Sequence, residues 1–118
     1  MTFTNWDEVP AEANRPGVTH RRLFGKNVQV QRLTVEPGGD PAPLHDHPEL
    51  EQFFLIQEGE WEMTAGDETR RVGPGDVIYV EPGVPHNVLL LSEETGYLYE
   101  VYQPILSTEL AAQRKQGS

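Results

Sequence analysis

Short apolar runs separated by clusters of proline, glycine and polar residues recur along the whole chain. Residues 28–35 alternate apolar and polar side chains with a period near two, which predicts a strand with one polar face. Comparable runs predict further strands at residues 21–24, 52–57, 60–64, 69–72, 77–80, 87–91 and 97–102. Regularly spaced short strands with turn residues between them predict an all-β fold, either a sandwich or a barrel.

The two ends of the chain do not follow this pattern. Residues 1–19 mix Trp6 and two prolines with polar residues, and we expect an irregular arm that can include a short edge strand. Residues 107–116 are the one segment whose pattern predicts a helix, but this segment is short and polar enough to fray. The chain has 118 residues and no evident repeat, so we expect one domain whose core uses nearly all of it.

Composition argues against several classes of function. The formal net charge of −10 argues against nucleic acid as a partner, because phosphates need a basic surface. No stretch approaches the ~20 consecutive apolar residues of a membrane span, and no charged-then-apolar leader opens the chain. We therefore expect a cytoplasmic protein with no membrane partner. Because the chain has no cysteine, any metal must be held by nitrogen or oxygen ligands.

Three of the four histidines lie in two short motifs. The first motif, residues 39–59, contains His45 and His47, and the second, residues 75–87, contains His86. Side chains two apart on a strand point the same way, so we expect His45 and His47 to present both imidazoles to one interior. His86 is expected to meet them from a distant segment. Imidazole ligands suit Zn, Fe, Ni, Cu and Mn alike, so they do not identify the metal.

Both motifs resemble the two signature motifs of the cupin superfamily. The family patterns are Gly, five residues, His-x-His, three or four residues, an acid, six residues, Gly, and then Gly-Asp, four residues, Pro-x-Gly-x-x-His. Here Glu81 stands where the proline is usual, and Pro82 follows it. The resemblance implies a single domain over residues 1–118, with a double-stranded β-helix, or jelly-roll barrel, over roughly 20–104. It also implies one divalent metal ion, Zn, Ni, Fe or Mn, on the three motif histidines.

Two residues compete for the position of the fourth ligand. Counting forward from His47, a gap of three residues selects Glu51 and a gap of four selects Gln52. Counting back six residues from Gly59 selects Gln52, which we therefore favour. An amide ligand would leave the ion its full charge and strengthen it as a Lewis acid, whereas a carboxylate would neutralise part of that charge.

Within the superfamily, the chain resembles small single-domain cupins that hold the metal on three histidines and a glutamine. Two such groups are the pectin-pathway cupins that linearise unsaturated uronates and the metal-dependent cupins that cyclise aromatic polyketides. The first group shares an early tryptophan (Trp6), a Pro-Gly-Val entry (residues 16–18) and a last strand reading acid-Val-aromatic-x-Pro (residues 100–104). The chain departs from that group in having Glu100 where aspartate is expected, and in having no arginine soon after Pro104.

This resemblance implies a non-redox metal enzyme, an isomerase, lyase or cyclase, that polarises a carbonyl or enol of a small polar substrate. Glu100 is expected to move a proton beside the metal, because the resemblance places its strand there. Two alternatives stay open: an Fe-dependent dioxygenase, and a non-catalytic cupin that binds a small molecule in the mouth of the barrel. Metal identity and oxygen uptake separate the first two hypotheses.

Two further expectations concern partners. Arg32 lies on the alternating strand, where it either faces the cavity and holds an anionic substrate or faces solvent. The run at residues 52–57 has apolar side chains on both faces, more than one barrel interior can hide. Because burial of apolar surface is favourable, we expect a homodimer formed by packing of sheets, aided by the N-terminal arm.

Overall fold

The structure, a computed structural model, describes residues 3–117 and confirms the all-β prediction. Within this range the strands are β1 (Glu12–Arg15), β2 (Val18–Phe24), β3 (Gln29–Val35), β4 (Glu51–Glu58), β5 (Trp61–Ala65), β6 (Glu68–Val72), β7 (Val77–Val80), β8 (His86–Leu90) and β9 (Gly96–Gln103). The strands predicted from the sequence are all present, with ends that differ by a few residues. β1 is the short edge strand expected within the arm, whose residues 1 and 2 lie outside the described range.

The strands form two antiparallel sheets. The larger sheet has the order β1-β2-β3-β9-β4-β7, and the smaller has the order β6-β5-β8. The last strand, β9, therefore lies in the middle of the larger sheet, between β3 and β4. Its register pairs Glu100 with Gln31 of β3 on one side and with Phe54 of β4 on the other.

The two sheets enclose an interior that is apolar in one part and polar in another. The apolar core draws on both sheets and comprises Val18, Leu33, Val35, Phe54, Ile56, Trp61, Met63, Val80, Val88 and Leu98. Among the residues that the structure describes, five buried ones are polar or charged, namely Gln29, Gln31, Gln52, His86 and Glu100. On β3 the apolar and polar parts meet within one face, because Gln29 and Gln31 are followed by the apolar Leu33 and Val35. The predicted single polar face of this strand is therefore wrong.

The segment that carries the first two histidines is irregular, and the prediction that they lie on a strand is wrong. Between β3 and β4, only His45 forms a bridge, in which it exchanges backbone hydrogen bonds of 3.2 and 2.8 Å with His86. A regular ladder is disfavoured here because proline has no N–H to donate, and the segment contains Pro37, Pro41, Pro43 and Pro48.

The arm and the C-terminal segment pack against the larger sheet, the arm on β9 and the C-terminal segment on β2. A 3₁₀ turn at Trp6–Glu8 places Trp6 against Tyr99, with ring centres 5.9 Å apart. A second 3₁₀ turn, Ser107–Glu109, leads into α1 (Leu110–Gly117), the helix predicted near this position. In the part of the chain that the structure describes, no helix is long and apolar enough to cross a membrane.

Candidate metal centre

The fold brings His45, His47 and His86 together. Their ligand-capable atoms all lie within 4.8 Å of one another. The ring centres are 4.9 Å apart for His45 and His47, 4.5 Å for His45 and His86, and 5.3 Å for His47 and His86. The backbone bridge between His45 and His86 fixes the two distant segments against each other, as convergence of the motifs requires.

Two of the imidazoles are oriented by backbone carbonyls. The Nδ1 atom of His45 lies 2.7 Å from the carbonyl oxygen of Pro43, and that of His86 lies 2.9 Å from the carbonyl oxygen of Val84. A carbonyl oxygen can only accept, so each Nδ1 carries the hydrogen and each Nε2 keeps its lone pair. Histidines that ligate metals are held in this way. The Nε2 atom of His86 is buried and has no hydrogen-bond partner among the described residues.

Gln52 lies on the interior face of β4 and is 2 % exposed. Its Nε2 donates a hydrogen bond of 3.3 Å to Oε1 of Glu100, while its own Oε1 is buried without a partner among residues 3–117. The competing residue, Glu51, is on the opposite face and accepts a hydrogen bond from the hydroxyl of Tyr79. The structure therefore places Gln52, and not Glu51, on the side of the interior.

The surroundings of Gln52 connect it with the histidines. On the same face of β4, the ring of Phe54 lies 5.8 Å from that of His86. Across the ladder, Gln52 pairs with Tyr102 of β9, whose ring lies 5.9 Å from that of His47.

A divalent ion fits these residues. Buried nitrogen and oxygen atoms without partners are costly, and coordination would satisfy both the His86 Nε2 and the Gln52 Oε1. Burial, together with the charges of the other two histidines, lowers the pKa of His47 to about 4. Burial also lowers the pKa of His86. Both rings are therefore neutral near pH 7, which is the form that binds metal.

Glu100 lies inside the barrel, and its two neighbours on β9 point to the other face. The carboxylate, which is 8 % exposed, accepts hydrogen bonds from Gln31, Gln52 and Tyr102. Burial raises the pKa of Glu100, although hydrogen bonds from Gln31 and Tyr102 and the positive charge of Arg15 oppose that rise. The carboxyl thus has an environment suited to holding a proton.

The buried glutamines of β3 were missed by the sequence analysis. Gln29 donates a hydrogen bond of 3.2 Å to Gln31, which in turn donates to Glu100. Their period-two relation to Leu33 and Val35 was the available signal, because four residues in that register share one face.

Arg32 is not brought to the histidines. It lies on the opposite face of β3 from Gln31 and Leu33, and its guanidinium carbon is 4.4 Å from the ring centre of Tyr97.

A different arginine lines the site. A cavity of about 160 Å³ is bordered by the three histidines and Glu100, and Arg15 of β1 lies at its wall. The sequence offered no signal for Arg15, since it lies in the arm that was predicted to be irregular.

Comparisons with known proteins agree with this architecture. A family model described as a cupin domain matches residues 31–102. An uncharacterised protein of Methanocaldococcus jannaschii is 30 % identical over 90 residues, which cover 72 % of each chain. The dimethylsulfoniopropionate lyase DddQ of Ruegeria pomeroyi is 34 % identical over 64 residues, which cover 53 % of this chain and 31 % of the lyase. The solved structure of KdgF from Halomonas sp. has a TM-score of 0.83 at 19 % identity, and the match covers 91 % of this chain and 98 % of KdgF.

Proposed function

We propose that this chain, which belongs to the cupin family, is a metal-dependent enzyme of the non-redox type. It would act as an isomerase, lyase or cyclase on a carbonyl or enol group of a small polar substrate. One observation carries the proposal: three histidines cluster inside the barrel, and the Nε2 of His86 and the Oε1 of the interior residue Gln52 are buried without partners among the described residues. Such a set of unused ligand atoms is what a divalent ion requires.

His45, His47, His86 and Gln52 would hold the ion. All four are neutral ligands, so a bound Zn, Ni, Fe or Mn ion would keep its full charge. When bound, such an ion supplies Lewis-acid polarisation of a substrate oxygen. The protein would supply the orientation of the ligands, through the carbonyls of Pro43 and Val84 that hold two of the rings.

Glu100 would move the proton that an isomerisation, elimination or cyclisation requires. It borders the cavity, and burial raises the pKa of its carboxyl toward the range in which general acids and bases operate. Gln31 and Tyr102 fix the carboxylate through hydrogen bonds. The apolar side chains of Phe54 and Val88 border the same cavity and would limit access of water.

The comparisons support enzymatic activity without selecting the reaction. DddQ is a lyase, but the match covers only about a third of its length. A lyase reaction is therefore one candidate activity for this chain. Unsaturated uronates are the first substrates to examine, because the chain resembles the pectin-pathway cupins.

The metal content of the full chain, purified without chelator, tests the proposal first. We expect about one divalent ion per chain, and we expect it to be lost in His45→Ala, His47→Ala and His86→Ala. His20→Ala is the matched control, because His20 lies outside the cluster and this variant should keep the ion. A wild-type protein that binds no metal with useful affinity would overturn the proposal.

Oxygen uptake then separates the non-redox reaction from the dioxygenase. Zinc- or nickel-loaded protein should convert unsaturated uronates without consuming oxygen. Activity that requires iron and consumes oxygen in proportion to the substrate would replace the proposal by the dioxygenase alternative. Stoichiometric binding of uronates with no turnover under any metal would replace it by a binding function.

A further inference from the structure

The rim of the candidate site carries a positive charge that no part of the proposed reaction uses. Among the described residues that border the 160 Å³ cavity, Arg15 is the one arginine or lysine, and Asn14 lies beside it. We propose that Asn14 and Arg15 form an anion-binding rim that selects substrates carrying a carboxylate. This inference rests on the proposed function, because it assigns the substrate class of the same cavity.

A β-bulge lets two residues that are adjacent in sequence both border the cavity. β1 pairs with β2 so that Ala13 lies opposite Thr19 and Arg15 opposite Val18, which leaves Asn14 as an extra residue between them. In a regular strand, neighbouring side chains point to opposite faces. Bulges interrupt this alternation at sheet edges and re-aim side chains beside functional sites. Asn14 and Arg15 consequently border the same cavity although they are adjacent in sequence.

The guanidinium of Arg15 is held in place by its neighbours. Its Nε donates to the backbone oxygen of Asp40, and its Nη1 donates to Oδ1 of Asn14 at 3.0 Å. The Nδ2 of Asn14 donates in turn to Nδ1 of His20 at 3.1 Å. A planar group that is already oriented loses less conformational entropy when it binds a carboxylate, so affinity increases.

The rim is also tied to the loop that carries the histidines. The amide of Asp40 donates to the carbonyl oxygen of Pro16 at 2.8 Å, and the amide of Glu36 donates to that of Gly17 at 2.9 Å. Gly17 has a φ of +74°, and a Cβ atom there would lie 2.7 Å from the Cα of Gly39, so the close approach requires glycine. The position of Arg15 relative to the histidines is thus fixed by backbone contacts on both sides.

Charge and size indicate the class of ligand. The chain has a formal net charge of −10, so its surface as a whole repels anions, and a cation at the mouth of the cavity would offset that repulsion before an anion reaches the histidines. The cavity of about 160 Å³ is small for a binding pocket, which favours a substrate with few non-hydrogen atoms. The rim would bind the carboxylate of such a substrate while its carbonyl or enol end reaches the histidines.

Two ligands of the same shape test the inference. Glutarate carries a carboxylate where pentanoate carries a methyl group, and both can be titrated calorimetrically into the zinc-loaded full chain. We expect wild-type protein to bind glutarate about tenfold more tightly than pentanoate, the contribution of a charge-assisted hydrogen-bonded pair. Arg15→Gln should abolish this preference with zinc content unchanged, and Arg15→Lys should restore part of it.

Arg70→Gln is the matched control, because Arg70 is exposed on β6, where it pairs with Glu68, and the variant should keep the full preference. The inference is overturned if wild-type protein shows no preference for glutarate, or if Arg15→Gln retains it. If zinc does not bind at all, the proposed function fails, and the same titrations on the metal-free protein still decide the role of Arg15. If zinc binds normally but glutarate is not preferred, the anion-binding rim is rejected and the proposed function is not affected.

Discussion

A Gln52→Met substitution removes the amide of the proposed fourth ligand and keeps a side chain of similar volume. Gln52 is 2 % exposed, so a smaller residue would leave a cavity. The effect of the lost ligand could then not be distinguished from the effect of lost packing. Swaps that conserve volume in a core usually cost less than ~1.5 kcal/mol. The substitution therefore isolates the chemistry of the amide.

Two opposing effects determine the stability of the metal-free variant. The lost hydrogen bond of 3.3 Å from Gln52 to Glu100 destabilises the fold by about 0.5–1.5 kcal/mol, the range for an ordinary intramolecular hydrogen bond. Removal of the buried Oε1, which has no partner within residues 3–117, relieves a desolvation cost of about 1–3 kcal/mol. Because these effects largely cancel, we expect the free energy of unfolding to change by less than about 1.5 kcal/mol.

Metal affinity should change far more. Groups that only orient a ligand contribute about 10–100-fold to affinity, so losing a ligand itself should cost at least about 100-fold. Zinc competition with a chromophoric chelator measures the affinity, and urea unfolding of the metal-free protein measures stability. Glu51→Met is the matched control on the outer face and should keep wild-type affinity. The assignment is refuted if Gln52→Met binds zinc as wild type does, or if Glu51→Met is the variant that loses it.

Three other predictions follow from the same structure. The Glu100→Gln variant should keep the metal and the fold but lose about 100-fold or more of the turnover measured with any substrate that is found. Full activity in this variant would mean that another group transfers the proton. The pKa of His47 is about 4 when folded and 6.5 when unfolded, so the metal-free protein should lose stability as pH falls from 6.5 to about 4. Urea unfolding of His47→Gln should show a weaker pH dependence over that window, and an identical dependence would contradict the prediction. We expect a homodimer, because apolar side chains are exposed on the outer face of the larger sheet at Phe53, Val77 and Tyr79. A monomer in light scattering at micromolar concentration would contradict this prediction.

The strands were predictable because their signals are local. Turn residues and the period of two predict where each strand lies, and the structure has a strand at each predicted position, with ends that differ by a few residues. Convergence of the histidines was predictable only through the spacing of the two motifs. The regular strand expected at His45 and His47 does not form, yet the bridge between His45 and His86 brings the same imidazoles together.

The residues whose position the sequence left open or missed depend on which face of a strand is buried. Arg32 and Gln31 are adjacent on β3, and the period of two assigns them to opposite faces without stating which is the interior. Arg15 was missed because it borders the cavity next to a bulge at Asn14. Such an extra residue in the pairing of two strands cannot be recognised from the alternation along one strand.

The residues proposed for metal binding and proton transfer lie on different strands from the residues proposed to select the substrate. Gln31, Gln52 and Glu100 lie on β3, β4 and β9, which are hydrogen-bonded on both sides within the larger sheet, so changes there act on a constrained network. Asn14 and Arg15 lie on β1, an edge strand that pairs only with β2. Substitutions at an exposed edge usually change stability little, whereas those in a buried hydrogen-bonded network cost more. Variation at residues 14 and 15 can therefore change which anion enters while leaving the candidate metal centre intact.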